Sequence, residues 1–247
     1  MRLAILLSII LNLLMGPVCA EQILVLNSGF YAPLTTERRD GLLDQLYQEL
    51  SKRVGLKFEI QRLPAAERAL INVNDGVVDG DAGRIQGLEK TYPNMVRVPV
   101  SVMKFEMVVF SRNADFTVAG TDSIKPYNVG LVRGWKILEQ AAAGAKLVTT
   151  LESAEQMFSM LDKDRIDIAL LEKIEGLHII SNLGIKGIRI LHPNLLEGYW
   201  YLYLNKKHEA LIPRIAAELR KMESDGTHQR IYDSVLSRYT RQAAPIE

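Results

Sequence analysis

The middle of the chain reads KFEMVVFS at residues 104–111, RNADFTVAGTDSIKP at residues 112–126 and NVGLV at Asn128–Val132. The first and last segments are short apolar runs rich in β-branched and aromatic residues, which are typical of buried strands. The segment between them is polar, and after it the strand–helix pattern starts again. This restart predicts two α/β lobes, with a boundary in the polar connector.

Strands and helices alternate on both sides of this connector. Residues 41–54 form an amphipathic pattern that Gly55 ends, and Thr149 with Glu152 has the spacing of a capping box for a helix at residues 152–161. Such alternation predicts mostly parallel sheets covered by helices, with ligands bound outside the carboxyl ends of the strands. Further strands are predicted at residues 22–27, 56–63, 77–82, 146–148, 166–170, 187–191 and 199–204, and two helices end the chain.

The composition excludes several classes of protein. The chain has 247 residues, with 30 Lys and Arg against 29 Asp and Glu, so its formal charge of +1 argues against a broad nucleic-acid surface. The four histidines have no metal-ligand spacing, and the single cysteine excludes a disulfide framework. We therefore predict no metal and no cofactor, and a protein that handles something small.

The first twenty residues, MRLAILLSIILNLLMGPVCA, have the order of a secretory signal peptide. One charge precedes a short apolar run, and Ala20 offers a small residue for cleavage. A membrane anchor would need about 20 apolar residues, and this run is shorter. A lipidated cysteine needs a small residue just before it, whereas Val18 precedes Cys19. We predict cleavage after Ala20 and a periplasmic protein without a lipid anchor.

Six motifs then occur in a fixed order along the mature chain. They are FYAPL at 30–34, GLLDQLYQELSKRVGL at 41–56, DGVVD at 75–79, VGLVRG at 129–134, DRIDIA at 164–169, and SDGT at 224–227 followed by IY at 231–232. In this order and spacing the chain resembles the family 3 periplasmic solute-binding proteins. The resemblance implies an α/β, two-lobed type II periplasmic-binding fold, each lobe a mostly parallel sheet flanked by helices.

The resemblance also implies how the chain is divided and what it does. Lobe 1 would comprise residues 21–111 and 205–247, and lobe 2 residues 112–204, with crossover strands near residues 109–112 and 203–206. The implied function is capture of a small polar solute, an amino acid or related carboxylate, for the membrane permease of an ABC importer. We expect a monomer without enzymatic activity. The alternatives are a cyclohexadienyl-dehydratase-like enzyme that uses Glu172 or Glu67, and a freestanding receptor for a membrane sensor.

Two residues stand where the resemblance implies ligand contacts. Tyr31 matches an aromatic residue that lines the cleft, although an ordinary packed loop residue is the alternative. Glu172 matches the carboxylate that pairs with a ligand ammonium group. A buried carboxylate is costly unless it meets a cation, so the alternative is a solvated helix start.

The arginine that grips the ligand carboxylate in the family is missing, and its position falls on Thr91 or Lys90. Arg84, seven residues before Thr91, could bind a carboxylate bidentately from another direction. The alternative is a salt bridge from Arg84 to Asp81 or Glu89, since surface pairs are common.

In lobe 2 the family carries Gly-Ser-Thr, whereas this chain has Gly134, Trp135 and Lys136. Trp135 could stack on a flat ligand and Lys136 could supply charge, but Trp135 could equally be a core residue. These substitutions predict a zwitterionic or more acidic ligand that differs from a standard α-amino acid.

Overall fold

The computed structural model describes residues 22–63 and 66–240. The predicted signal peptide and its cleavage after Ala20 lie outside these residues. The strands are β1 Ile23–Ser28, β2 Lys57–Arg62, β3 Gly80–Arg84, β4 Met95–Ser111, β5 Asn128–Val132, β6 Leu147–Leu151, β7 Ile168–Glu172 and β8 Arg189–Asn205. The α-helices are α1 Leu42–Val54, α2 Ala66–Asn74, α3 Lys136–Ala141, α4 Ala154–Asp162, α5 Lys173–Leu183, α6 Ile212–Ser224 and α7 Thr227–Thr240.

The eight strands form one sheet in the order β2-β1-β3-β8-β4-β7-β5-β6. In its first half, β1 pairs in parallel with β2 and β3. In its second half, β5 pairs in parallel with β6 and β7. The long strands β4 and β8 run antiparallel to each other through the middle and join the halves. The predicted α/β class, with two mostly parallel halves joined by two strands, is confirmed.

The strand neighbours of β4 and β8 change at other positions than the crossovers predicted near residues 109–112 and 203–206. Residues 107–111 of β4 already pair with β7 in the second half, and Tyr203 and Leu204 of β8 pair with β3 in the first. The neighbours of β4 and β8 change instead near residues 101–107 and 196–201. Strand β4 begins at Met95, before the strand predicted at residues 104–111, and it accommodates Pro99 with register shifts. The division into lobes at residues 111 and 205 stays a prediction.

Helix α1 connects the buried core of the first half to the strand that carries Arg84. Its apolar face is buried, and Gly55 ends it with φ +57°, a left-handed conformation that glycine adopts without strain. Tyr47 on this face is 2% exposed, and its hydroxyl donates to the Ala82 carbonyl oxygen at 2.6 Å. Helix α1 therefore fixes β3 two residues before Arg84.

The second half places its helices directly after its strands. Glu172 ends β7 and is also the N-cap of α5. Helix α4 begins after Ser153, whose Oγ accepts a hydrogen bond from the Gln156 N–H. The capping box predicted on Thr149 and Glu152 is wrong, because Thr149 lies within β6 and pairs with Gly130.

Candidate ligand-binding site

The carboxyl ends of β1, β2 and β3 bring two cationic side chains and one aromatic ring together. Arg62 and Arg84 are the last residues of β2 and β3, and Tyr31 follows β1 by three residues. The Arg62 Cζ atom lies 5.0 Å from the centroid of the Tyr31 ring, which is 41% exposed. The Arg84 Nη2 atom lies 4.0 Å from where a Cβ would stand on Gly29, in the loop that leads to Tyr31. Arg62 was missed in the sequence, although it stands at the end of a predicted strand.

Arg84 forms an ion pair with a buried carboxylate. Its Nη2 atom lies 2.8 Å from Asp81 Oδ2, and the Asp81 side chain is fully buried. Burial raises the pKa of the Asp81 carboxyl, and the Arg84 guanidinium opposes this shift. Glu89, the other candidate partner, instead accepts a hydrogen bond from the Tyr203 hydroxyl at 2.8 Å. The salt bridge to Asp81 thus exists, and a ligand contact of Arg84 stays a prediction.

One edge of the Arg84 guanidinium is only partly paired. Its Nε and Nη2 atoms are buried; Nη2 is ion-paired with Asp81 Oδ2, whereas Nε has no acceptor among the described residues. These two N–H groups are neighbours on one edge of a planar fork, which matches the two oxygens of a carboxylate. Buried donors without acceptors are rare in folded proteins, so Nε requires an acceptor, a water or a ligand atom, that the described residues do not supply. This edge is the best indication of a ligand position in the described structure.

An aromatic cluster lies where the two halves of the sheet meet, formed by Phe30, Phe105, Trp135 and Trp200. The Trp200 ring centroid is 5.2 Å from that of Phe30, 4.5 Å from Phe105 and 6.5 Å from Trp135. A Cβ on Gly83 would stand 2.6 Å from Phe30 Cε2, so glycine is needed for the ring to lie against β3. The cluster therefore reaches the residue next to Arg84. Only Trp135 was singled out in the sequence, because the other three rings look like ordinary core residues.

The two predicted ligand residues in the turn after β5 differ in burial. Trp135 is half-buried within the aromatic cluster, so the core and ligand interpretations are both compatible with its position. The Lys136 side chain is 79% exposed, and its Nζ atom lies 2.7 Å from Glu139 Oε2. Lys90 and Thr91, the positions of the missing family arginine, are exposed. The structure therefore brings Trp135 towards the junction and leaves Lys136 in a surface ion pair.

Glu172 lies at the start of α5 and is only 2% exposed, so it is not a solvated helix start. Its Oε2 atom accepts hydrogen bonds from the backbone N–H groups of Ile174 at 2.8 Å and Glu175 at 3.0 Å. Burial raises the pKa of the Glu172 carboxyl to about 7, although these hydrogen bonds oppose the shift. The neighbouring Glu175 is 4% exposed, and burial followed by the charge of Glu172 raises its pKa to about 8. Among the described residues, the ion pairs do not connect Glu172 with Arg84.

Two cavities of about 480 and 420 Å³ lie elsewhere, at the far end of the second half. Their linings include Arg189 and Asp167 but not Tyr31, Arg84 or Trp135. We locate the site by the unpartnered buried donor, because it requires an acceptor and a surface hollow does not. In the part of the chain that the structure describes, no group of His, Cys, Asp and Glu is arranged to hold a metal ion.

Comparison with known proteins identifies the fold. The chain is similar to a histidine kinase sensor domain with similarity to periplasmic binding proteins, at 16% identity over 88% of this chain and 96% of that one, with a TM-score of 0.69. It is also similar to AbpA, an amino acid ABC transporter substrate-binding protein of Streptococcus pneumoniae bound to L-arginine, at 12% identity over 88% and 94% of the two chains, with a TM-score of 0.66. The chain has the type II periplasmic-binding-protein fold.

The sequence comparisons find fewer similar proteins than the structure comparison does. No protein-family model matches this chain. An uncharacterized protein of Shewanella oneidensis is 26% identical over 193 residues, which cover 75% of this chain and 72% of the relative. Among residues 22–63 and 66–240, no helix has the length and apolar character needed to cross a membrane.

Proposed function

We propose that this protein is an exported, periplasmic solute-binding protein. It captures a small carboxylate-bearing solute between its two lobes and delivers it to the permease of an ABC importer. The observation that carries this proposal is the buried Arg84 edge at the carboxyl end of β3, where Nη2 meets Asp81 and Nε has no acceptor among the described residues. A carboxylate there would accept from Nε and face the Tyr31 ring, which lies in the loop after the neighbouring strand β1.

The two long central strands provide the means to close on such a ligand. Between residues 101 and 107, β4 passes from the first half of the sheet to the second, and β8 returns beside it. Flexing of this two-stranded connection would move Trp135 in the second half relative to Arg84 in the first. A ligand that contacts both halves would favour the closed state.

A freestanding receptor for a membrane sensor is the second candidate. It is supported by the similarity to a sensor domain of a histidine kinase, at nearly the same TM-score as the importer component. An enzymatic role of the dehydratase kind would need an acid or base beside the ligand. Glu67, one candidate for that role, is exposed and accepts a hydrogen bond from the Tyr92 hydroxyl at 2.7 Å. We propose that the protein binds its ligand without turnover.

Mass spectrometry of the compound that co-purifies with native protein, followed by calorimetric titration, tests the proposal. Arg84→Lys keeps the charge but loses the paired donors of the fork, so it should weaken carboxylate binding by about tenfold or more. The matched control is Arg189→Lys, because Arg189 lies at the far end of the second half, 3.6 Å from Asp115. Wild-type affinity in Arg84→Lys, or turnover of a prephenate-like substrate, would contradict this function.

A further inference from the structure

We propose that two copies of this protein pair along strand β6, antiparallel to each other and about a two-fold axis, so that their two sheets become one. The inference goes beyond the proposed function, because β6 is the outermost strand of the second half and carries none of the proposed ligand residues. The monomer expected from the family resemblance would then be one member of a concentration-dependent equilibrium.

The outer edge of β6 presents free main-chain groups. Strand β6, Leu147–Leu151, ends the sheet, and β5 is the one described strand that pairs with it. The Leu151 carbonyl oxygen accepts a hydrogen bond from the Arg133 N–H at 2.9 Å, so the main chain of Leu151 faces β5. Because this direction alternates along a strand, the N–H and C=O groups of Val148 and Thr150 point away from the sheet. Such a row is a template for another strand.

The side chains of β6 do not protect this edge. Leu147 is 56% exposed and Val148 is 39% exposed, and the five residues of the strand include no charge, proline or glycine. Strand β2, at the opposite edge of the sheet, has Lys57, Glu59 and Arg62 among its six residues. Charged side chains on an edge strand oppose pairing with another chain. The sheet is therefore protected at β2 and open at β6.

A second copy fits this edge because β6 is complementary to itself in one antiparallel register. With Thr149 on the two-fold axis, Leu147 lies opposite Leu151 of the other copy, and Val148 lies opposite Thr150. Val148 and Thr150 are the residues whose main-chain groups point outwards, so each such pair would exchange two hydrogen bonds. The same register covers the exposed Leu147 side chain, and the two-fold axis closes the assembly as a dimer.

The residues that flank β6 add opposite charges to this register. Lys146 precedes the strand and Glu152 follows it, so Lys146 of each copy would lie opposite Glu152 of the other. Both residues are exposed, and the Glu152 side chain keeps 70% exposure in its ion pair with Arg133. Opposite charges across an antiparallel pair are favourable, and like charges are unfavourable. This charge complementarity favours a second copy over an unrelated strand.

The first test is a disulfide across the two-fold axis. In the proposed register Thr149 faces itself as a non-hydrogen-bonded pair, whose Cα separation of about 4.5 Å lies within the range of disulfides. The one cysteine in the sequence, Cys19, precedes Glu21, so a Thr149→Cys protein that begins at Glu21 has a single thiol. Mild oxidation should convert most of it to a covalent dimer. Thr150→Cys is the matched control and should cross-link much more slowly, because Thr150 lies opposite Val148.

Sedimentation velocity of the cysteine-free protein measures the association itself. A five-residue strand gives a small interface, so we expect a reversible dimer at micromolar concentrations or above. Val148→Lys should weaken dimerisation by about tenfold or more, because it places a charge on the pairing edge. Val77→Lys is the matched control, since Val77 is 72% exposed and lies before β3 in the first half. It should leave the equilibrium unchanged.

Two charge variants test the register. Lys146→Glu alone and Glu152→Lys alone each place like charges opposite each other in both pairs, so each should weaken self-association by about tenfold. A mixed dimer of the two variants restores both opposite-charge pairs. An equimolar mixture should therefore associate with nearly the affinity of the wild type.

Each result has one interpretation. A wild type that stays monomeric at the highest attainable concentration overturns the proposal, as does a dimer that Val148→Lys leaves intact. Absence of a cross-link in Thr149→Cys, or no recovery in the mixture of charge variants, refutes the register and with it the pairing of β6. Solute binding is measured separately, so these failures would leave the proposed function unchanged.

Discussion

Replacing Arg84 with alanine should destabilise the protein as well as weaken ligand binding. Asp81 is fully buried, and Arg84 Nη2 lies 2.8 Å from its Oδ2. Removing one partner of a buried ion pair typically costs 3–5 kcal/mol. Because the Arg84 side chain keeps 16% exposure, we take the lower end, about 3 kcal/mol. For a chain of this length, about 1 kcal/mol shifts Tm by roughly 2–4 °C, so Arg84→Ala should melt about 6–12 °C below wild type at pH 7.

The pH dependence of this loss has a definite sign. Burial already raises the pKa of the Asp81 carboxyl from 3.8, and loss of the opposing Arg84 charge would raise it further. A carboxyl whose pKa is raised by folding destabilises the folded state only where it is ionised. The penalty is absent below pH 3.8 and is complete above the folded-state pKa. Thermal unfolding from pH 4 to pH 8 should therefore show Arg84→Ala falling progressively further below wild type.

Two further variants separate stability from binding. Asp81→Asn added to Arg84→Ala removes the unpaired charge, so it should recover most of the lost Tm without restoring affinity for a carboxylate. Arg84→Lys keeps a cation beside Asp81 and should melt within a few degrees of wild type. If Arg84→Ala melts like wild type at pH 7, or if the double variant is no more stable, the buried ion pair does not stabilise this fold.

Four other results are expected. The free energy of unfolding of the wild type should fall by about 2–4 kcal/mol between pH 5 and pH 8.5, because the folded-state pKa of Glu175, about 8, exceeds the unfolded value of 4.5. Glu175→Gln should remove this fall in urea unfolding, and an unchanged pH slope would contradict the prediction. Glu172→Gln should retain affinity for an acid without an ammonium group, and a large loss of affinity would assign Glu172 to the ligand. A tight ligand should lower the radius of gyration in solution scattering, and an unchanged shape would count against lobe closure. N-terminal sequencing of exported protein should begin at Glu21, whereas an acylated Cys19 would refute cleavage after Ala20.

The elements that could be predicted well are those with local signals. Helix α1 has a periodic apolar face and a glycine stop, and strand β5 is a short apolar run after a polar segment; both occur as expected. The central strands could not be predicted in full. Strand β4 contains Pro99 and charged residues, and β8 contains Pro193 and exposed positions, yet each is held by long-range pairing with the other over most of its length. The strand propensity of each segment alone does not indicate this long-range pairing.

The sequence could predict those site residues that lie at or just after the ends of strands. Tyr31, Arg84 and Trp135 all follow or end strands, and the parallel halves bring such positions to defined edges of the sheet. Trp200 could not be found in this way, because it lies inside β8 and stands out only through its ring contacts with Phe30 in the first half and Trp135 in the second. That information exists only once β8 has paired with β3 and β4.

Glu172 and Arg84, the two charged residues predicted to contact the ligand, differ in how the fold stabilises their charges. The sequence placed a carboxylate at the end of a buried strand, where it needs a cation or another source of stabilisation. The structure provides two backbone N–H groups of α5, and a pKa of about 7 leaves the group partly neutral at physiological pH. Arg84 instead pairs through Nη2 with the single carboxylate of Asp81, and its Nε has no acceptor among the described residues. We infer that the first half of the sheet supplies the charge that recruits the ligand. The second half would then contribute mainly the Trp135 ring.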